Sequence, residues 1–249
     1  MSDFKIGIDY GGTKIEGILI DSNGKEILRK RSTYEKNYES GLNTVKSLVS
    51  EFDKFTDQQN SVGVCIPGFS SYETGLVNNA NCIWINDKPF HKDLEKSLNR
   101  EIRIMNDANC FALSEAIDGS GANYKSVWGV IIGSGFGGSF VYEKKVIEGV
   151  NQIAGDWGHQ PLPYPTEEEI NSNVQCNVGN CKRPLCAEQF ISGIGFTKLF
   201  NEKYGTSLRT REIVALEANG DERAKKEFEL YEDRFARLIS VMIGIVDPE

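Results

Sequence analysis

The stretch Lys5-Ile6-Gly7-Ile8-Asp9-Tyr10-Gly11-Gly12-Thr13-Lys14-Ile15-Glu16-Gly17-Ile18-Leu19-Ile20 carries an apolar strand into a glycine-rich bend and out into a second apolar strand. Glycine tolerates positive φ and lets backbone N–H groups approach an anion with no side chain in the way. The same layout returns at Val127 to Tyr142, VWGVIIGSGFGGSFVY. Two such hairpins suggest two phosphate grips serving one nucleotide.

Each hairpin resembles a familiar motif without matching it. Gly7 and, after four intervening residues, Gly12, Thr13 and Lys14 approach a P-loop, but the order is wrong. A P-loop needs Gly-Lys-Ser/Thr opening a helix. Here Ile15, Gly17, Ile18 and Ile20 continue as a strand. Gly133, Gly135 and Gly138 fit G-x-G-x-x-G, yet Phe140, Val141 and Tyr142 again continue as a strand, whereas a dinucleotide fingerprint opens a helix. Either bend alone reads equally well as an ordinary turn.

A chain of 249 residues can bury one large core or two modest ones, and two lobes are expected. The net charge of −8 and the lack of a basic run argue against a nucleic-acid partner. The first strand begins at Phe4 and no apolar run has membrane-span length, so no membrane partner and a cytoplasmic location are expected. Of six cysteines, Cys65, Cys82 and Cys110 are scattered through core-like segments, while Cys176, Cys181 and Cys186 cluster.

Beyond the first hairpin, an extended segment precedes a helix with Leu42, Val45, Leu48, Val49, Phe52 and Phe55 on one face. A buried strand at Ser61 to Ile66 ends in Pro67-Gly68. The Asn-rich stretch from Asn78 to Pro89 reads as a binding loop or a plain surface loop. A helix over Asp93 to Leu98 and a strand over Glu101 to Met105 lead to Asn106-Asp107-Ala108-Asn109, after which Phe111, Ala112, Leu113 and Ala116 suggest a helix. Later, Phe190 to Phe200 reads as a helix broken at Gly193 and Gly195, and Thr210 as the cap of a short helix. Asp221 caps a final helix carrying Ala224, Phe228, Tyr231, Phe235, Leu238, Met242 and Ile243.

Asp107 follows a strand and opens a helix. It can cap that helix, accept the proton of a sugar hydroxyl, or do both, since aspartate commonly orients the nucleophile in phosphoryl transfer. Asp9 beside a phosphate grip would be repulsive unless magnesium lay between them, and is otherwise a turn residue. Lys14 is a phosphate contact or an ordinary exposed lysine. His159, Cys176, Cys181 and Cys186 suit tetrahedral zinc, and four protein ligands would make the ion structural. Three reduced cysteines and an unrelated histidine are the alternative.

Taken in order, Asp9 to Lys14, Asn106 to Asn109, Gly133-Ser134-Gly135-Phe136-Gly137-Gly138, Gly155-Asp156-Trp157-Gly158-His159 and Cys181 to Gly193 resemble the ROK family of sugar kinases across almost the whole chain. Asn79-Ala80-Asn81, Trp84-Ile85-Asn86 and His159-Gln160-Pro161-Leu162-Pro163 resemble its bacterial fructokinase and mannokinase type. The resemblance implies an α/β, two-lobed actin-like ATPase of ribonuclease H-like fold. Residues 1–107 would form a small N-terminal lobe and 108–249 a larger lobe with a zinc-binding loop. ATP and sugar would lie in the cleft.

It further implies ATP-dependent phosphorylation of a hexose, with fructose or mannose favoured, at the 6-hydroxyl with Asp107 as base. Asn81, Asn106, Asp156, His159 and Glu188 would contact sugar. Asp9, Gly11, Gly12, Thr13, Lys14, Gly133, Ser134, Gly135, Gly137 and Gly138 would hold ATP and Mg2+. His159, Cys176, Cys181 and Cys186 would hold structural Zn2+, and a homodimer is expected because dimers are common in the family.

Three departures stand out. Asp156 replaces the family's glutamate, which would lengthen a sugar contact and alter preference. Gly179 stands where the first cysteine of the zinc pattern is expected, with Cys176 three residues earlier. The family continues past Asp247-Pro248-Glu249 into a further strand and adenosine contact, so a truncated C-terminal part is expected. The alternatives are an N-acetylglucosamine or glucose kinase of the same family, and a noncatalytic sugar binder or repressor-type member. A repressor would carry a helix-turn-helix ahead of the first hairpin.

Overall fold

Ile6, Ile8 and Tyr10 are buried and alternate with more open neighbours along β1 (Phe4–Tyr10), the two-residue period of a half-buried strand. The chain is described by a computed structural model covering residues 4–178 and 181–249. The Gly179 substitution within the zinc pattern lies outside these described residues. Contacts divide the chain into two compact units, one reaching Cys110 and including Gly149–Ile153, the other comprising Phe111–Glu148 and Ala154–Glu249.

In the first unit, β1 pairs antiparallel with β2 (Lys14–Asp21), and β2 with β3 (Glu26–Thr33). No helix follows the bend, consistent with the rejected P-loop reading. On its other side β1 runs parallel to β4 (Ser61–Ile66), which runs parallel to β7 (Arg103–Asn106), giving the order β3-β2-β1-β4-β7. Between β4 and β7 lie a short hairpin, β5 (Phe69–Ser70) and β6 (Val77–Asn78), and a 3-10 turn at Ile83–Ile85.

Helix α1 (Tyr38–Thr56) packs Leu42, Val45, Leu48, Val49 and Phe52 into the sheet's core. Phe55, expected on that face, stays 60% exposed, because it occupies the last turn, where the packed stripe has ended. The Asn78 to Pro89 stretch is more than a surface loop: Ala80, Cys82 and Ile85 are buried in the same core. Helix α2 (Phe90–Leu98) starts three residues before the expected Asp93, anchored by buried Phe90, and β7 starts two residues after the expected Glu101.

Helix α3 (Asp107–Ile117) begins in the first unit, and its later turns belong to the second, where Ala112 and Ala116 pack with Val141. There β8 (Ser126–Ile132) pairs antiparallel with β9 (Phe136–Tyr142), and β9 with β10 (Lys145–Val146). After α4 (Glu167–Asn171), the expected helix from Phe190 is two: α5 (Ala187–Ile191) and α6 (Gly193–Tyr204). The break falls at Ser192, whose hydroxyl accepts the Gly195 N–H at 3.0 Å, so the glycines sit in the first turn of α6. In α7 (Thr210–Ala218) the cap is Arg209, with Thr210 already helical. Asp221 caps α8 (Glu222–Val246) as the sequence indicates, and Leu238 and Met242 reach the core around Trp157 and Phe190. No helix among the described residues is long and apolar enough to cross a membrane.

Candidate functional site

In the first unit, β1, β4 and β7 are parallel, with Asp9 opposite Cys65 and Cys65 opposite Met105. Asp9, Cys65 and the Asn106-Asp107 pair therefore emerge together at the carboxyl edge of the sheet, where open α/β sheets bind ligands. Cys65 Sγ donates to Asp9 Oδ1 at 3.5 Å.

Asn106 is the residue that caps α3. Its Oδ1 accepts the N–H groups of Ala108 and Asn109 at 2.9 and 3.2 Å, while its Nδ2 donates to the Gly68 carbonyl at 2.9 Å. Gly68 has φ +76°, and a β-carbon there would lie 2.3 Å from the Asn78 carbonyl, so only glycine brings that carbonyl so close. Both ends of the Asn106 amide are thus committed to the protein. Asp107, freed from the main capping duty, accepts the Ala108 N–H at 2.8 Å and remains accessible to solvent. Crowding by protein atoms raises its carboxyl above the ordinary aspartate value, and the charge of Asp9 adds to that rise.

The first bend is closed by the Gly11 N–H donating to the Lys14 carbonyl at 3.1 Å. Thr13 and Lys14 are exposed. The Gly12 Cα faces the Asn-rich stretch: a β-carbon there would lie 3.4 Å from Cys82 Sγ and 3.9 Å from Asn81 Oδ1. Asn86 clamps that stretch, accepting the Ala80 N–H and donating to the Ala80 carbonyl, both at 2.9 Å. Tyr34, which sequence reasoning did not single out, donates its hydroxyl to the Gly11 carbonyl at 2.8 Å.

In the second unit, the Gly133 N–H closes its bend on the Gly135 carbonyl at 2.9 Å, and the Gly133 carbonyl accepts the Gly193 N–H at 2.8 Å. The glycines are not equivalent. Gly133 and Gly137 face open space, whereas a β-carbon on Gly138 would fall 2.5 Å from the Gly129 carbonyl and 2.7 Å from Trp157 Nε1. Gly138 thus permits close packing.

Beside Gly135 lies Glu188, whose Oε2 is 3.6 Å from His159 Nε2. Glu188 is buried, and burial raises its carboxyl; His159 opposes that rise and Asp156 adds to it. Asp156 itself is exposed. The other His159 nitrogen, Nδ1, lies 3.7 Å from Cys176 Sγ and 3.6 Å from Cys186 Sγ.

His159, Cys176, Cys181 and Cys186 offer four ligand atoms within 4.8 Å of one another, and none of the cysteines is in a disulfide. A tetrahedral ion with bonds of about 2.0–2.3 Å holds its ligands roughly 3.5–3.8 Å apart, a spacing the His159–Cys176 and His159–Cys186 distances already meet, while the widest pair, within 4.8 Å, would draw in on binding zinc. Cys176, though displaced in sequence, arrives by backbone pairing. Its N–H donates to the Arg183 carbonyl at 2.9 Å, and the Leu185 N–H donates to the Val174 carbonyl at 2.8 Å, laying Cys176 beside Cys186. The paired segment is what spacing alone misses.

Comparison with known proteins places the chain in a family. The ROK family model matches residues 5–249. A curated N-acetyl-D-glucosamine kinase from Citrobacter koseri is 38% identical over 98% of this chain and 80% of its own length. One from Pasteurella multocida is 37% identical over 98% of this chain and 81% of its own. Among solved structures, a ROK hexokinase from Thermus thermophilus superposes with a TM-score of 0.85 at 21% identity, covering 98% of this chain and 79% of that one. A ROK glucokinase from Streptomyces griseus in complex with glucose and AMPPNP gives 0.76 at 20%, which supports the fold. The α/β, actin-like ATPase architecture expected from the sequence is thus the observed one, and the chain belongs to the ROK family, among its sugar kinases.

Proposed function

We propose that this protein transfers the γ-phosphoryl group of ATP to N-acetyl-D-glucosamine, with Asp107 as the general base. The observation that carries the substrate is the 37–38% identity, over 98% of the chain, to kinases of that sugar. The fructose or mannose preference read from the sequence gives way to the N-acetylglucosamine alternative, because the curated relatives matched along 98% of the chain are named kinases of that sugar.

Asp107 receives the proton of the attacking hydroxyl, whose oxygen bonds to the γ-phosphorus as the bond to the departing ADP oxygen breaks. Its raised carboxyl suits it to hold that proton. Backbone N–H groups of the glycine bends other than those of Gly11 and Gly133, which close the bends, would donate to phosphate oxygens. Asp9 would hold Mg2+, which supplies charge neutralisation at the phosphates. Asn81, Asp156 and Glu188 accept or donate to sugar hydroxyls. Asn106 orients Asp107. His159 and the three cysteines would hold zinc, which ties the Gly158 to Glu188 region together and supplies no chemistry of its own.

The test is ADP release with MgATP and, in turn, N-acetylglucosamine, glucose, mannose and fructose, beside calorimetric titration of each sugar. N-acetylglucosamine is expected to give a kcat/KM at least about tenfold above the others, the scale of one well-made specificity contact. A higher kcat/KM on fructose or mannose would restore the first expectation. Sugar binding without turnover would instead mark a noncatalytic member of the family.

A further inference from the structure

The Tyr34 hydroxyl lies 2.8 Å from the Gly11 carbonyl oxygen and donates to it from the chain that follows β3, whose last residue, Thr33, pairs with Lys14. A trans peptide is planar, so the carbonyl of Gly11 and the N–H of Gly12 point in opposite directions from one plane. Fixing one therefore aims the other. With its carbonyl turned in toward Tyr34, the Gly11-Gly12 peptide turns the Gly12 N–H outward, and among the described residues that N–H meets no backbone carbonyl.

The Tyr34 ring is held independently of its hydroxyl. It lies 5.5 Å from the Tyr10 ring and 6.0 Å from Trp84, whose Nε1 donates to the Tyr10 hydroxyl at 3.2 Å. Removing the phenolic oxygen would leave this ring packing in place while releasing the Gly11 carbonyl and the hydroxyl's weaker contacts with Tyr10, Trp84 and Cys82. A glycine-glycine peptide is the kind most able to flip when released, because neither residue carries a β-carbon to restrain it.

We infer that Tyr34 is a positioning residue for nucleotide: it locks the Gly11-Gly12 peptide so that the Gly12 N–H donates to a phosphate of bound ATP. The inference rests on the first bend being a phosphate grip, as in the function proposed above.

Tyr34→Phe tests it by equilibrium titration, which needs no turnover. MgATP and magnesium tripolyphosphate should both bind about 2- to 10-fold more weakly, the range for one hydrogen bond, with N-acetylglucosamine affinity and Tm unchanged. A merely structural role would weaken sugar and nucleotide together. Equal losses for both ligands, or unaltered MgATP affinity in the folded variant, would overturn the assignment. If Tyr34→Phe does not fold, the unaltered chain labelled with 15N-glycine serves: a Gly12 amide that shifts on adding magnesium tripolyphosphate supports the inference, and one that stays put refutes it. A wild-type chain that binds MgATP but phosphorylates no sugar would refute the kinase reading while leaving this test intact.

Discussion

Glu188 Oε2 lies 3.6 Å from Nε2 of His159, on the ring edge opposite the one that faces Cys176 and Cys186. A metal on Nδ1 would leave the ring proton on Nε2, directed at the Glu188 carboxylate. One histidine then links the thiol cluster to a proposed sugar contact. Purified protein should contain about one zinc per chain by mass spectrometry. Stripping it under reducing conditions should lower Tm and weaken sugar binding by roughly 10- to 100-fold, and Cys176→Ser should reproduce the effect. Full sugar affinity in metal-free protein would separate the cluster from the site.

Asp107→Asn removes the proton acceptor but keeps the hydrogen bond to the Ala108 N–H within reach of the amide oxygen. Turnover should fall by about 10²–10⁴-fold with sugar affinity and Tm near wild type. Because the folded carboxyl is raised and must be ionised to act, the acid limb of kcat/KM should lie at higher pH than an ordinary aspartate would give. Asp9 adds to the rise, so Asp9→Asn should move that limb to lower pH. A pH–rate profile of the wild type and of Asp9→Asn checks the sign, and a limb that does not move removes Asp9 from the electrostatics of Asp107.

The backbone around Asp107 was readable because each step has a local signal. Strand Ser61 to Ile66 alternates apolar side chains, Asp221 precedes a helical stripe, and strand residues flank both glycine bends. What escaped the sequence depends on partners far along the chain. Asn106 rather than Asp107 caps α3 because the Gly68 carbonyl, 38 residues away, holds the other end of its amide. Tyr34 reaches Gly11 across 23 residues, and no periodicity marks such a contact. Cys176, a ligand candidate by residue type despite its shifted spacing, is carried to the cluster by backbone pairing with Arg183, a route no spacing shows. The α5/α6 break, signalled in sequence by Gly193 and Gly195, falls at Ser192, whose hydroxyl fixes its place by accepting the Gly195 N–H.

Away from the site, Glu169 of α4 is 4% exposed and meets Arg234 and Arg237 of α8, each at 2.8 Å. Burial alone would raise its carboxyl; the two guanidinium groups outweigh it and hold the carboxyl at about 2. A folded value below the unfolded one stabilises the fold at pH above the unfolded glutamate range, and that contribution is lost as pH falls toward about 2. The shift corresponds to about 3 kcal/mol. Glu169→Ala should cost about 3–5 kcal/mol at pH 7, since it strands the Arg234 guanidinium and leaves Arg237 with Asp233 and the Pro163 and Tyr164 carbonyls. Urea unfolding at pH 7 and pH 3 should show the gap between wild type and Glu169→Ala shrinking at the lower pH. A constant gap would assign the loss to packing.

The two glycines at the ends of the Gly133 to Gly138 segment should respond oppositely to a single methyl. Gly133 faces open space, whereas a β-carbon on Gly138 would stand 2.5 Å from the Gly129 carbonyl and 2.7 Å from the Trp157 indole nitrogen. Neither obstacle is a flexible side-chain tip: one is strand backbone and the other a ring fixed by Trp128 and Phe136 at 5.4 and 4.9 Å. Gly138→Ala should therefore force β8 and β9 apart and cost about 2–3 kcal/mol or more in urea unfolding, overpacking of this kind being worth about 1–3 kcal/mol where neighbours can shift. Gly133→Ala should fold with wild-type stability while crowding the ligand side of the bend, raising KM for ATP and leaving KM for sugar unchanged. If both substitutions lower stability alike, the bend is a structural turn. If Gly138→Ala is stable and weakens ATP alone, its glycine serves the phosphates directly.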